Sequence, residues 1–303
     1  MSIKIIKKGL ADSLQDKGRY GYQHLGIQPN GCMDFMSAWL ANSILQNEID
    51  QPVFELHFPT SHLKFEDDYT ICISGANFVP VINEKSIAMN CAISVSKNDV
   101  LSMLQPIEGK TAYLAIKGFI QEEPWLGSHA YSGVRLEKED QIHFTSNNTF
   151  NELPNPISNE VIESIQKQVF DHKSHIRFIP GPAWNELNQE SITHLIKTPF
   201  YISSQANRMG FTLSGPTLNL NVPNHFLSSA VTRGTMQLLP NGEIIVLMAD
   251  HQTIGGYANL GQIILVDLPR FAQMKANMPF HFALTNLDYA NQLYREIHEQ
   301  FKH

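Results

Sequence analysis

Four short polar blocks concentrate the side chains of this sequence that can do chemistry. The first is Gln15-Asp16-Lys17-Gly18-Arg19-Tyr20-Gly21-Tyr22. Its glycines permit a tight backbone path, and Asp16 and Arg19 can pair with each other or face a ligand. The second is Pro29-Asn30-Gly31-Cys32-Met33-Asp34, which leads into an apolar-periodic segment. A helix N-terminus there offers free N–H donors to an anion, unless Asp34 satisfies them itself as a cap. The third block, Ser203 to Gly210, contains Asn207 and Arg208. An amide and a guanidinium can present donors to a carboxylate or a urea-like group, or bond neighbouring carbonyls in a turn. The fourth is Met248-Ala249-Asp250-His251-Gln252-Thr253-Ile254-Gly255-Gly256-Tyr257. Here an apolar strand delivers acid, imidazole, amide and hydroxyl onto a Gly-Gly turn. Asp250 or His251 is the candidate general base, and a polar-capped hairpin is the alternative.

Several familiar chemistries lack their signatures. The sequence has no Walker loop and no G-x-G-x-x-G, so no nucleotide cradle is legible. It has no H-E-x-x-H and no paired cysteines, so no metal site is expected. It has no G-x-S-x-G elbow. Met274-Lys275 is faintly similar to a biotinylated lysine, but Gln273 and Ala276 flank it, and a solvated lysine is the simpler reading.

The elements that must position these blocks read as short strands separated by turns. Ile71-Cys72-Ile73 runs into Ser74-Gly75, and Ala112 to Ile116 ends near Gly118. Ile244 to Met248 follows the turn Pro240-Asn241-Gly242, and Ile263 to Val266 follows Gly261. Regular short strands of this kind predict barrels or sandwiches. The opening Met-Ser-Ile-Lys-Ile-Ile-Lys-Lys reads as an edge strand. Three helices are expected: about Phe35 to Leu45 with Asp34 as N-cap, about Asn159 to Phe170 with Ser158 as cap, and about Asp288 to Phe301. A segment rich in Asn, Pro and Thr, Asn147 to Pro156, marks a boundary. The expected division is therefore 1–147 as an N-terminal β-rich half, 148–173 as a connector with a helix, and 174–303 as a C-terminal half.

Composition narrows the function classes. The chain has 303 residues, 43% hydrophobic and 17% charged, with a formal net charge of -7. The charged share is below the usual value of about 25%, which fits either a partner-covered surface or an ordinary neutral one. No basic run exceeds Lys7-Lys8, so nucleic acid is not an expected partner. Cys32, Cys72 and Cys91 are an odd, scattered set, as in a cytoplasmic protein with reduced thiols. No apolar run approaches the roughly 18 residues of a membrane helix, and the sequon Asn147-Asn148-Thr149 carries no meaning in such a compartment.

Taken in order, the motifs resemble a known family. Ser13-Leu14-Gln15-Asp16, Gly18-Arg19, Gly31, Asp34, Ala41-Asn42 and Glu55 look like the opening signature of the C subunits of bacterial 5-oxoprolinase. Ser74-Gly75-Ala76, Gly127-Ser128, Ser204 to Gly210, Gly234-Thr235-Met236-Gln237, Leu247 to Tyr257, Asp267 and Gln273 continue it. The family includes biotin-dependent carboxyltransferases and the KipA and allophanate hydrolase subunit 2-like proteins. The sequence departs from it twice. The glycine-rich insertion after Gly127-Ser128-His129-Ala130 is shortened to Tyr131-Ser132-Gly133-Val134-Arg135, and the customary Pro-Arg after Gly256-Tyr257 is Ala258-Asn259.

The resemblance implies a mainly β protein of two barrel-like halves, cyclophilin-like at least in the C-terminal half. It implies a non-autonomous member of an ATP-dependent 5-oxoprolinase that opens a small cyclic amide, 5-oxoproline, to glutamate. The implied partners are the enzyme's A and B subunits, the latter being allophanate hydrolase subunit 1-like, with ATP held by a partner or across the complex. Within the family motifs, Asp250 and His251 are the expected acid–base residues. Gln15, Asp16, Arg19, Asp34, Asn207, Arg208, Gln237, Gln252, Thr253, Gly255, Gly256 and Tyr257 are the expected substrate-binding set. The rival expectations are a biotin-dependent carboxyltransferase acting on urea or a similar amide, and a non-catalytic regulatory protein that binds an allophanate hydrolase subunit 1-like (KipI-like) partner.

Overall fold

A computed structural model describes residues 1–130, 135–145, 157–173, 175–221 and 226–301. The expected linker at 147–156, the sequon within it and positions 131–134 of the shortened insertion lie outside the described residues. The chain is mainly β and divides into two compact units. The first comprises 1–19, 30–170 and 300–303; the second comprises 20–29 and 171–299. The helix expected in a connector thus falls within the first unit, and a short stretch that begins inside the first polar block falls within the second.

The first unit carries a seven-stranded and a five-stranded sheet. Alternation in the opening strand, Ser2–Lys7, puts Ile3 and Ile5 inward, each fully buried. They join Leu63, Phe65, Phe54, Ile71, Ile73 and Leu114 in one apolar cluster fed by both sheets. The opening strand is not the edge strand expected from sequence. It pairs with His62–Phe65 on one side and Gln141–Thr145 on the other. Its lysines tolerate this position because their long stems reach the surface, where Lys4 meets Glu139 at 2.7 Å. Among the described residues two helices complete this unit: α1, Phe35–Ile44, and α2, Asn159–Phe170. Helix α1 is buried on nearly every side rather than along one stripe.

The second unit is an eight-stranded sheet that nearly closes into a barrel. Its terminal strands, Pro279–Phe280 and Phe282–Leu284, are separated in sequence by one residue, which brings the two ends of the sheet together. Phe280 and Phe282, two apart and therefore on one face, stack edge-on at 5.1 Å and extend through Phe200, Phe178 and Phe271. Among the described residues three helices belong here: α3, Gln189–Lys197; α4, Leu268–Gln273; and α5, Leu287–Glu299. Helices α3 and α4 were not expected from sequence. The segment predicted as a strand over Ile263 to Val266 is also different: the strand Ala258–Ile263 ends there, and a 3-10 turn, Leu265–Asp267, leads into α4. Asp267, fully buried, fixes that corner by accepting from Arg177 Nε at 2.9 Å and pairing with Arg270 at 3.0 Å. No described helix is long and apolar enough to cross a membrane.

Candidate functional site

The polar blocks form two clusters, one in each unit. In the first unit, Asp16 sits at the end of a short strand and collects three donors. Gly18 N and Ser128 Oγ each donate to Oδ1 at 2.7 Å, and His129 N donates to Oδ2 at 2.6 Å. Arg19, 1% exposed, points inward. Its Nε donates to Trp125 O at 2.9 Å, and its terminal nitrogens donate to Asn30 Oδ1 at 3.2 Å, Ser128 O at 3.3 Å and Ala130 O. The guanidinium also lies 4.3 Å from the Trp125 ring. Asp16 and Arg19 are therefore turned inward rather than toward a ligand. Both lock the 125–130 segment onto the first block, where buried carbonyls need the donors that a guanidinium supplies.

The remaining expected residues of this unit are also engaged by the chain itself. Gln15, buried, donates to Ser13 Oγ at 2.9 Å and accepts from Gly31 N at 3.2 Å. Gly31 adopts φ 98°, and a Cβ there would sit 3.0 Å from Gly18 N, so the two glycine-bearing blocks approach as only bare backbone can. Asp34 is the cap of α1. Its carboxylate accepts from Ser37 N at 3.0 Å and from Ser37 Oγ at 2.6 Å. Beneath it, Glu55 accepts from Met33 N at 2.8 Å and from Tyr113 Oη at 2.9 Å, while Tyr113 Oη accepts from Asp34 N at 2.7 Å. Burial, then the Glu55 charge, holds the Tyr113 hydroxyl well above its ordinary range, so it stays a neutral donor.

In the second unit, Arg208 and Asp250 form a bidentate pair, with Nε to Oδ2 and Nη2 to Oδ1 both at 2.8 Å. The backbone reinforces this, since Asp250 N donates to Arg208 O at 2.8 Å. Gln28 donates to Asp250 O at 2.8 Å. Both carboxylate oxygens of Asp250 thus already accept from a cation, an arrangement that orients the acid. His251 is 2% exposed, and burial depresses its pKa below the usual 6.5. Its Nδ1 lies 2.6 Å from Gln252 O. A carbonyl only accepts, so Nδ1 carries the proton and Nε2 keeps the lone pair.

Next to this pair lie two amides. Gln252 Nε2 is 3.5 Å from Gln237 Oε1, and Gln237 Nε2 is buried with no hydrogen-bond partner among the described residues. The short ribbon of Ser229–Ala230 with Ile254–Gly255 runs beside them. A Cβ on Gly255 would come within 2.4 Å of Gln237 Nε2, so the glycine lets backbone press on the amide. Thr253 is half-buried and Gly256 is exposed, as is Tyr257 at 47%. Asn207 is exposed, and its Oδ1 accepts from Met209 N at 2.8 Å, which is the turn reading of that residue. The cluster offers amide donors and acceptors, one neutral imidazole and one oriented carboxylate. That set suits a small amide or a carboxylated nitrogen better than a phosphate. The N-terminal donor at Ser37 of α1 and that at Ser191 of α3 are taken by Asp34 and Asn188. Among the described residues no group of three His, Cys, Asp or Glu side chains could hold a metal ion.

Sequence reasoning had assigned no role to Asn30, Ser128, Trp125, Gln28 or Tyr113. Gly127-Ser128 was visible as a motif, but its use as a partner of Asp16 spans 112 residues of chain.

Two β-rich units bearing these ordered polar turns define a carboxyltransferase-like protein. Residues 25–284 match the carboxyltransferase domain, subdomain A and B, and the chain belongs to that family. It is 28% identical over 300 residues to the 5-oxoprolinase C subunit of Escherichia coli (strain K12), covering 95% of this chain and 93% of that one. It is 28% identical over 228 residues to urea amidolyase of Saccharomyces cerevisiae, covering 71% of this chain and 12% of the relative. The crystal structure of Kluyveromyces lactis urea carboxylase superposes with a TM-score of 0.89 at 23% identity, over 99% of this chain and 29% of that one, a likeness of fold.

Proposed function

We propose that this chain is one component of an ATP-dependent 5-oxoprolinase, working with the enzyme's A and B subunits in the cytoplasm. The observation that carries this reading is the similarity to the 5-oxoprolinase C subunit over nearly the full length of both chains. In the reaction, ATP phosphorylates the lactam oxygen of 5-oxoproline and leaves as ADP, one water adds at the carbonyl carbon and the ring C–N bond breaks to leave the acyl phosphate of glutamate, and a second water releases phosphate and glutamate. ATP is bound by a partner or across the complex, and no step of phosphoryl transfer is assigned to this chain. The roles proposed here are local. Gln252 and Gln237 present amides to the lactam or its opened product, with Thr253, Gly255, Gly256 and Tyr257 shaping the turn around them. Arg208 holds Asp250, and His251 offers a neutral imidazole for proton transfer. Asn207 lies at the rim. Gln15, Asp16, Arg19 and Asp34 support this function by ordering the turns of the first unit.

The test is reconstitution with the neighbouring gene products, read as 5-oxoproline-dependent ATP hydrolysis. Turnover should require all components, and robust turnover by this chain alone would overturn the reading. A second reading, a biotin-dependent carboxyltransferase acting on urea or a similar amide, is favoured by the family's carboxyltransferase description and the similarity to urea amidolyase. Carboxyl transfer from a biotinylated carrier, with no 5-oxoproline dependence, would select it. Tight binding to an allophanate hydrolase subunit 1-like protein, without turnover in either assay, would select a regulatory role.

A further inference from the structure

A cavity of about 470 Å³ opens in the first unit, and it shares no residue with the polar blocks above. Its walls are the end of the strand Tyr69–Asn77, the hairpin of Pro80–Ile82 with Lys85–Ser86, and the C-terminal turns of α2. Two of its non-glycine lining residues hold left-handed backbone: Val79 at φ 54° and Asn90 at φ 56°. For a β-branched residue this conformation is a true outlier, and such outliers concentrate at ligand sites. At Val79 the turn is held by Val79 N donating to Asn77 Oδ1 at 2.9 Å. The opposite strand is also irregular, because its pairing with Tyr69–Asn77 shifts register between Glu108 and Ala112, a kind of bulge that re-aims side chains.

The chemistry of the walls is one-sided. Among the described residues Glu108 is the one carboxylate that lines the cavity, no cationic side chain lines it, and Glu108 is solvent-exposed. The helix that contributes Gln166 and Phe170 does so from its C-terminal turns, the negative end of its dipole. Ile87, Met89 and Phe170 add apolar and polarisable surface, against which a cation on an apolar stem packs well. We infer that this cavity binds a small organic cation, an amine carried on an apolar body. Its volume falls within the ordinary range of small-molecule sites, about 300–1,000 Å³.

The experiment uses the full chain with methyl-labelled methionine, Met89 being assigned by the resonance lost in Met89→Leu. Phenethylamine is the probe, and 3-phenylpropionate, of similar shape and opposite charge, is its control. The Met89 methyl should shift saturably with the amine at a dissociation constant near or below about 1 mM, and should not do so with the acid. Glu108→Gln should weaken the amine about 5- to 10-fold, as for a lost charge-assisted bond partly screened by water. Ser86→Trp, a substitution at an exposed lining position, should block the shift while leaving the melting transition in place. No saturable shift, an equal response to the acid, or unchanged amine affinity in both variants would overturn the assignment.

Discussion

Replacing Arg19 by methionine separates a ligand-binding arginine from a structural one. Methionine is unbranched and of similar reach, so most of the apolar contact survives while the donors are lost. Three backbone carbonyls and Asn30 Oδ1 then lose the donors that Arg19 supplies, in a site where the arginine itself is only 1% exposed. A buried acceptor left without a partner costs roughly 1–3 kcal/mol, and these bonds are not additive, with the one to Ser128 O already long at 3.3 Å. The lost cation–π contact with half-exposed Trp125 adds about 0.5–1 kcal/mol. We expect a total of about 3–5 kcal/mol, a large part of a domain's usual stability of about 5–15 kcal/mol. Urea unfolding followed by fluorescence reads it directly. In a Trp184→Phe background, Trp39 and Trp125 report on the first unit, and the midpoint should fall by about 1–2 M. A loss below about 1 kcal/mol would refute the reasoning and return Arg19 to the role of an outward-facing ligand cation.

The Arg208–Asp250 pair, with side chains 18% and 11% exposed, should show a coupling of about 1–3 kcal/mol in a double-mutant cycle of Arg208→Met and Asp250→Asn, and purely additive unfolding energies would refute the pair. His251 has a folded pKa depressed below its unfolded value near 6.5, so the unfolded state binds the proton first. Its contribution to stability is therefore complete above about pH 6.5 and is lost as pH falls from there toward the folded pKa; proton NMR of the imidazole should show no titration until below 6.5. Gly255→Ala should lower the melting temperature by several degrees, corresponding to about 1–3 kcal/mol, because the new methyl overlaps the buried Gln237 amide. In the same series Gly256→Ala, whose Cβ meets only Ser228 Oγ at 3.2 Å, should be much milder, and equal losses would refute the packing argument.

Local features were legible because their causes are local. Asp34 followed by Phe35 and Met36 announces a capped helix, since the acceptor and the donor it satisfies are three residues apart. The strands around Ile71, Ala112 and Ile244 were likewise visible as apolar runs between turn residues, and the ordered polar turns were enough to place the chain in its family. Helix α4 was not visible: all six of its residues are buried, so it has no polar face and no stripe to detect, and only Pro269 near its start hinted at it. Helix α3 carried a readable Asn188 cap and an apolar face of Ile192, Leu195 and Ile196, but its nine residues are too short a run for the helical period to stand out from that of a strand.

What each polar residue does was decided by tertiary structure. Arg19 could equally have faced a ligand until the carbonyls of Trp125, Ser128 and Ala130, 106 to 111 residues away, were brought against it. Asp250 was a plausible free base until the strand pairing of Gly210 with Leu247 set Arg208 beside it. Residue type and spacing determine which hydrogen bonds and charges a segment can offer; which partner accepts them depends on long-range pairing, and that is settled only when the sheets close and exclude water from the competition.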